Sequence, residues 1–380
     1  MLRLNNKILC KHCFTEIKNG NTCPVCNGIA RPREASALEL NSILHGRYVV
    51  GRVLGKGGFS ITYLAYDNKL DKVVAIKEFF PDSLVHRIQG ESAVRLNDSN
   101  QMELYKKCVK RFYEEAQVIS TISHPNVLDV YNLYYENGTA FYTMEYLIGN
   151  DLRNYVKRNG GPIKEKELIT IVACVSEALE TIHKRGILHR DIAPDNIFIT
   201  NNGVVKLIDF GSARNIVNRE KGFTVLIKRN FTPPEQYQAK GNQGAWTDIY
   251  ALGATMVYCL TGVAPPDVAE RMNSAQLQLN CSPMLAETIS KMLEIRTEER
   301  FQNISELKKA LIKTSLTLSK ASAVAETVYT PEEPEKATDT PIEINGKTKL
   351  RDRINFNKLL IGFLIATIGF LMVIIVLLLL

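Results

Sequence analysis

His189-Arg190-Asp191-Ile192-Ala193-Pro194-Asp195-Asn196 sets an acid and an amide five residues apart on a short loop between Thr181–Leu188 and Ile197–Thr200. A second acid follows in Asp209-Phe210-Gly211, at the end of the β-branched and apolar run Val204-Val205-Lys206-Leu207-Ile208. A carboxylate to orient a hydroxyl, with an amide and another carboxylate to hold Mg²⁺ against a triphosphate, is the equipment of phosphoryl transfer. Such groups work only if the chain upstream supplies a phosphate cradle and a cation.

Both lie upstream, in order. Leu54-Gly55-Lys56-Gly57-Gly58-Phe59-Ser60 sits between the strand-like runs Tyr48–Val53 and Ile61–Ala65, and its glycines let the backbone approach phosphate oxygens closely. Val73-Val74-Ala75-Ile76-Lys77 reads as a strand ending in a lysine. Glu115, on a helical stretch predicted from Phe112 to Ile122, is its expected partner, with Glu114 as the alternative.

Taken together, the H-R-D-x-x-x-x-N and D-F-G words and their upstream companions make residues 48–312 resemble the protein-kinase domain, most closely the bacterial serine/threonine type. The resemblance implies an α+β, two-lobed fold: a small β-rich N-lobe over 48–147 and a large helical C-lobe over 148–312. It implies ATP with Mg²⁺ or Mn²⁺, and protein substrates. Lys77, braced by Glu115, would hold the α- and β-phosphates. Asp191 would be the catalytic base, and Asn196 and Asp209 the metal ligands. Leu54, Gly55, Gly57, Thr62 and Ala75 would surround the nucleotide. Met144 would guard the back pocket, Glu145 and Leu147 would offer backbone groups to adenine, and Asp151 would reach the ribose. Arg190 beside Asp191 resembles kinases whose activation segment is ordered by a phosphothreonine; Thr224 is the first candidate acceptor, with Ser212 and Thr232 behind it. A dimer for trans-autophosphorylation belongs to the same expectation.

The chain departs from the family pattern in places. Ser60 replaces a third glycine and Thr62 a valine. More consequential is Ala193, where serine/threonine kinases carry a lysine near the transferring phosphate, although Pro194-Asp195 keeps the serine/threonine wording. Counting back from Pro233-Pro234-Glu235, a position usually occupied by threonine holds Lys228, which is expected to supply the missing cation from the opposite side. Ala193 is also the one support for a rival reading, a pseudokinase scaffold. A small-molecule phosphotransferase of related fold would lack the activation segment and the Pro-Pro-Glu bracing, in which Glu235 pairs with Arg300 and Asp248 anchors the catalytic loop. Phe80 to Lys110 reads as a long polar insertion, either a regulatory contact or a passive loop.

The flanks carry other chemistry. Cys10-Lys11-His12-Cys13 and Cys23-Pro24-Val25-Cys26 give two C-x₂-C turns nine residues apart, the spacing of a tetrahedral thiolate shell for structural Zn²⁺. Residues 1–30 thus resemble a zinc ribbon, with a pair of disulfides or an Fe–S or redox use as alternatives and His12 a bystander. A docking or sensing module and an inert appendage both stay open. Residues 31–47 read as a linker, and Cys108, Cys174, Cys259 and Cys281 as buried small hydrophobes. Residues 313–358 read as a disordered stalk with a basic end. Leu359–Leu380 has no charge, is mostly Leu, Ile, Phe and Val, and is long enough as a helix to span the ~30 Å hydrocarbon slab. Lys347, Lys349, Arg351, Arg353 and Lys358 precede it, so the expected placement is a single-pass cell-membrane anchor with the kinase-like region in the cytoplasm. A net charge of +7 over 380 residues, with no basic run interleaved with aromatics, gives no reason to expect nucleic acid as a partner.

Overall fold

The computed structural model describes residues 2–5, 7–18, 22–26, 34–210, 228–237, 241–273 and 277–328. Strands β1 (Leu2–Leu4) and β2 (Lys7–Leu9) form a hairpin ahead of the first lobe. That lobe is a six-stranded antiparallel sheet of β3 (Ile43–Leu44), β4 (Tyr48–Lys56), β5 (Ser60–Asp67), β6 (Lys72–Phe79), then, after a small hairpin of β7 (Val85–His86) and β8 (Arg95–Leu96) and helix α1 (Met102–Ser120), β9 (Val130–Glu136) and β10 (Thr139–Glu145). The sheet order is β3-β4-β5-β6-β10-β9. Asn137 and Gly138, both at positive φ, make the tight turn between β9 and β10, as an Asn-Gly pair is suited to do.

The second lobe opens with β11 (Gly149–Asp151), α2 (Leu152–Arg158) and α3 (Glu165–His183), continues through β12 (Ile197–Thr200) and β13 (Val205–Leu207), and then α4 (Pro234–Tyr237), α5 (Ala245–Thr261), α6 (Val268–Met272), α7 (Pro283–Met292) and α8 (Ile304–Val328). Helix α5 is apolar on all sides from Ile249 to Leu260 and is buried accordingly, packed against α3 and α7. By contrast α1 buries one stripe, Tyr105, Cys108, Val109, Phe112, Ala116 and Ile119. Its Phe112 ring lies 5.3 Å from Phe79 and 5.2 Å from Tyr142, which fixes the helix against the inner face of the sheet.

Several expected boundaries shift. The helix carrying Glu115 begins at Met102, not Phe112. Hence the stretch 80–110 is no passive loop: it holds a turn, the β7–β8 hairpin and the first half of α1. Its Arg87 reaches a buried ion pair with Glu78 and stacks 5.1 Å over Phe80. The presumed linker 31–47 is part of the lobe from residue 34 on: Ala37, Leu38 and Leu44 are buried, the Leu38 N–H donates to Tyr63 Oη at 3.2 Å, and β3 pairs with β4. Nor is the cysteine segment a tethered appendage. Phe14 is buried beside Tyr66, and a Cβ on Gly51 would come within 2.5 Å of its ring, so the aromatic lies directly on the strand. Lys7 pairs with Asp71, and Asn5 donates to the Asn68 carbonyl at 2.9 Å. Finally, α8 continues past 312 into the expected stalk and buries Thr314. The remainder of that stalk, the apolar segment 359–380, and Ser212 and Thr224 lie outside the described residues, among which no helix is long and apolar enough to cross a membrane.

Candidate active site

Sheet register puts the upper half of the site in line. Gly55 pairs with Thr62, Thr62 with Lys77 and Lys77 with Tyr142, so these four project to one face. Two residues along, Leu64, Ala75 and Met144 form the neighbouring row on that face. Ala75 and Met144 are buried there, and Leu54, Thr62, Glu145 and Leu147 are half-buried around them. A Cβ on Gly55 or Gly57 would meet nothing within 4 Å, so no protein atom demands glycine; the approach of a ligand's phosphates would.

Lys77 bridges the lobes. Its ammonium bonds Asp209, and the pKa of the Tyr142 phenol, which burial pushes well above its ordinary value, is lowered by Lys77 and raised by the nearby Asp209 and Glu115 carboxylates. Glu115 therefore belongs to this cluster, whereas Glu114 is exposed and pairs with Lys110 at 3.8 Å. Tyr142 is a site residue that the sequence reading missed. Its place became visible only through the register with Lys77.

The lower half is a strained loop held by buried acceptors. Arg190 and Asp209 both sit at positive φ, at 64° and 57°, a conformation non-glycine residues keep only when their surroundings impose it. Asp248, buried in α5, imposes it on the first: it accepts from the His189 and Arg190 N–H groups at 2.8 and 2.7 Å and from His183 at 2.8 Å. His189 is fully buried, and burial lowers its pKa. A neutral ring with its proton on Nε2 suits both contacts, donation to the Ile208 carbonyl at 3.0 Å and acceptance of the Asp191 N–H by Nδ1 at 3.3 Å. Asn196 Nδ2 donates to the Asp191 carbonyl and to its Oδ2, at 2.7 and 2.8 Å. With the nitrogen so engaged, Asn196 turns its Oδ1 to act as an acceptor, and with the half-exposed Asp209 carboxylate it provides the hard oxygen donors that Mg²⁺ prefers. Asp151 caps α2, accepting from the Asn154 N–H at 2.7 Å, so the acid expected at a ribose already has a structural partner.

Ala193 is completely buried and presents no cation. Lys228 does: its Nζ lies 3.5 Å from Asp191 Oδ2 and 3.9 Å from Asp195 Oδ2. The segment that follows is braced by the fully buried Arg300, which donates to Glu235 at 2.8 and 3.1 Å and to the carbonyls of Glu294 and Ile295 at 2.7 and 3.0 Å. Glu235→Ala should lower stability by about 3 kcal/mol, because it leaves a buried charge without its counter-ion. Urea unfolding should then show a lower midpoint at unchanged slope; an unmoved midpoint would contradict the bracing role.

A second cluster lies beside the glycine-rich loop, its Cys13 and Cys26 lining one pocket with Leu54, Gly55 and Lys56. The Sγ atoms of Cys10, Cys13, Cys23 and Cys26 all lie within 4.8 Å of one another, with pairs at 3.4, 3.5 and 3.7 Å. All four are free thiols, so the disulfide alternative does not describe this fold. Sulfurs each about 2.3 Å from one tetrahedral Zn²⁺ would be about 3.8 Å apart, and the observed set is close to that frame. Backbone N–H groups of His12 and Val25 donate to Cys10 and Cys23 at 3.5 and 3.4 Å, as fits sulfurs carrying negative charge. Burial raises the Cys23 pKa, but donors from Cys26 and Val25 and the neighbouring thiols outweigh it and bring it to about 6.

The family of the protein kinase domain matches residues 48–323, past the end expected from sequence. Serine/threonine-protein kinase PrkC of Bacillus subtilis is 35% identical over 226 residues, which are 59% of this chain and 32% of that protein. Serine/threonine-protein kinase PknB of Mycolicibacterium smegmatis is 31% identical over 292 residues, 71% of this chain and 43% of that one. The chain thus matches 32% to 43% of the length of these relatives. Among solved structures, the apo form of PpkA-294 superposes with a TM-score of 0.64 at 32% identity, over 73% of this chain and 99% of that one. The PknI kinase domain of Mycobacterium tuberculosis, with a TM-score of 0.55 and 24% identity, shares the fold.

Proposed function

The chain belongs to the protein kinase family, and on that premise we propose that it transfers the γ-phosphate of ATP to serine and threonine hydroxyls of proteins. The observation that carries this reading is the meeting of Lys77 with Asp209 across the lobes, beside the Asp191–Asn196 pair. Lys77 binds phosphate oxygens and is held in place by its acidic neighbours. Asp191, its carboxylate fixed by Asn196, accepts a hydrogen bond from the substrate hydroxyl and aligns that oxygen for attack. Mg²⁺ held by Asn196 and Asp209 would neutralise charge on the triphosphate. Intact groups at all four positions speak against a scaffold that binds nucleotide without transfer.

Lys228 supplies the cation absent at Ala193, acting from the segment opposite the catalytic loop. Lys228→Ala should lower kcat by ~10²-fold, the low end for losing one transition-state stabiliser. Turnover equal to wild type in a steady-state assay would remove Lys228 from the mechanism. For the activity itself, mass spectrometry of the full chain and a generic protein substrate after incubation with ATP and Mg²⁺ should find phosphate on serine and threonine, Thr224 included. Absence of any phosphorylated residue would refute the proposal.

Two accessory features complete it. Cys10, Cys13, Cys23 and Cys26 would hold a structural Zn²⁺, which four thiolates would keep from any catalytic use. The sequence of 359–380, with basic residues before it, supports a membrane anchor that leaves the kinase domain on the cytoplasmic side. Carbonate-washed membranes should retain the chain; its release into the wash would exclude a spanning segment.

A further inference from the structure

Lys228 is not placed by its own stem alone. Its ammonium is shared between Asp191 and Asp195, at 3.5 and 3.9 Å. Asp195 in turn is gripped from α2 by Arg153, whose Nε bonds Oδ1 while Nη2 reaches Oδ2 at 3.1 Å. The guanidinium lies over the rings of Phe231 and Tyr258, at 5.9 and 5.1 Å. The Phe231 N–H then closes on the Lys228 carbonyl at 2.7 Å. Lys228, Asp195, Arg153 and Phe231 form one closed circuit joining the catalytic loop, α2 and the segment before α4.

The physical need for such a circuit follows from the side chains involved. Lysine is a point charge on a flexible four-carbon stem, and an exposed lysine–carboxylate pair by itself contributes little. A carboxylate in a two-point arginine fork, however, has a fixed direction, and it fixes whatever cation it attracts. Among the described residues, the charges facing Lys228 are Asp191, Asp195 and, behind the latter, Arg153, so Asp195 offsets the pull of Asp191 and keeps the ammonium between the two acids.

We propose that Asp195, oriented by Arg153, is a positioning residue that holds Lys228 beside Asp191, a task created by the move of the cation from position 193 to 228. This rests on the role of Lys228 proposed above. A double-mutant cycle on the full chain tests it, with ATP, Mg²⁺ and a peptide substrate. Asp195→Asn alone should lower kcat about tenfold with the KM for ATP unchanged, and in the Lys228→Ala background it should lower kcat less than about twofold. Asp195→Asn is close in shape, and matching thermal midpoints would establish that the variants are folded. If Lys228→Ala lowers turnover but Asp195→Asn reduces it by the same factor in both backgrounds, or not at all, the positioning role is overturned while that of Lys228 stands. If Lys228→Ala leaves turnover intact, both fall.

Discussion

Asp191→Asn should lower kcat by about 10³-fold, within the range for removing a positioned general base, while nucleotide affinity stays near wild type. The substitution isolates one property. Asn196 donates to the Asp191 carbonyl and to Oδ2, and an amide oxygen at the same place can accept that second bond, so the loop geometry survives. His189 and Arg190 remain tied to Asp248 and do not depend on the carboxylate. What disappears is the negative charge that orients the substrate hydroxyl and attracts Lys228. Transfer of labelled phosphate and fluorescence titration of nucleotide, run on the same variant, separate the two effects. Equal transfer by the variant would show that the hydroxyl is oriented by another group.

If the four thiolates hold Zn²⁺ as proposed, its removal should release the segment before residue 19 from the first lobe. Apparent binding to such a four-thiolate site is worth on the order of 10 kcal/mol or more, far above what a short hairpin can gain from its own burial. Phe14 packs on β4 and β5, and the Lys7–Asp71 pair lies at the exposed rim, so these contacts need the metal to hold the segment in shape. Chelation should therefore raise the reactivity of Cys10, Cys13, Cys23 and Cys26 together and abolish amide protection in β1 and β2. Residues beyond 34 should keep theirs, because Leu38, Leu44 and Tyr63 belong to the core of the lobe itself. Unchanged protection in β1 and β2 after chelation would mean that packing alone carries the segment.

Much of the site was legible in the sequence because its parts lie in short words of fixed spacing. Lys77, Asp191, Asn196 and Asp209 converge as their order suggested, and Lys228 faces Asp191 from where counting back from Glu235 put it. The missed features have a common physical cause: they depend on partners distant in sequence. Arg87 looks like a solvated charge until the β7–β8 hairpin brings it to Glu78, and Tyr142 looks like an ordinary strand residue until the sheet lays it against Lys77. The first half of α1 was hidden by Lys106, Lys107, Lys110 and Arg111, which sit on its outer face and make an amphipathic helix read as a polar loop. Phe14, between two C-x₂-C turns, gave no sign that its ring would seal the segment onto Gly51. At the other end, the Thr- and Ser-rich composition of the residues after Leu311, with little periodicity, concealed the extent of α8.

The central claim is that one ammonium, two carboxylates and one amide converge on a metal-bound triphosphate. A crystal structure of the full chain with Mg²⁺ and a non-hydrolysable ATP analogue tests it most directly. The account predicts phosphate oxygens within hydrogen-bond reach of Lys77, the metal bound by Asn196 Oδ1 and Asp209, and the Asp191 carboxylate facing the γ-phosphate from the side open to substrate. An analogue seated elsewhere, or a metal that ignores Asn196 and Asp209, would contradict it.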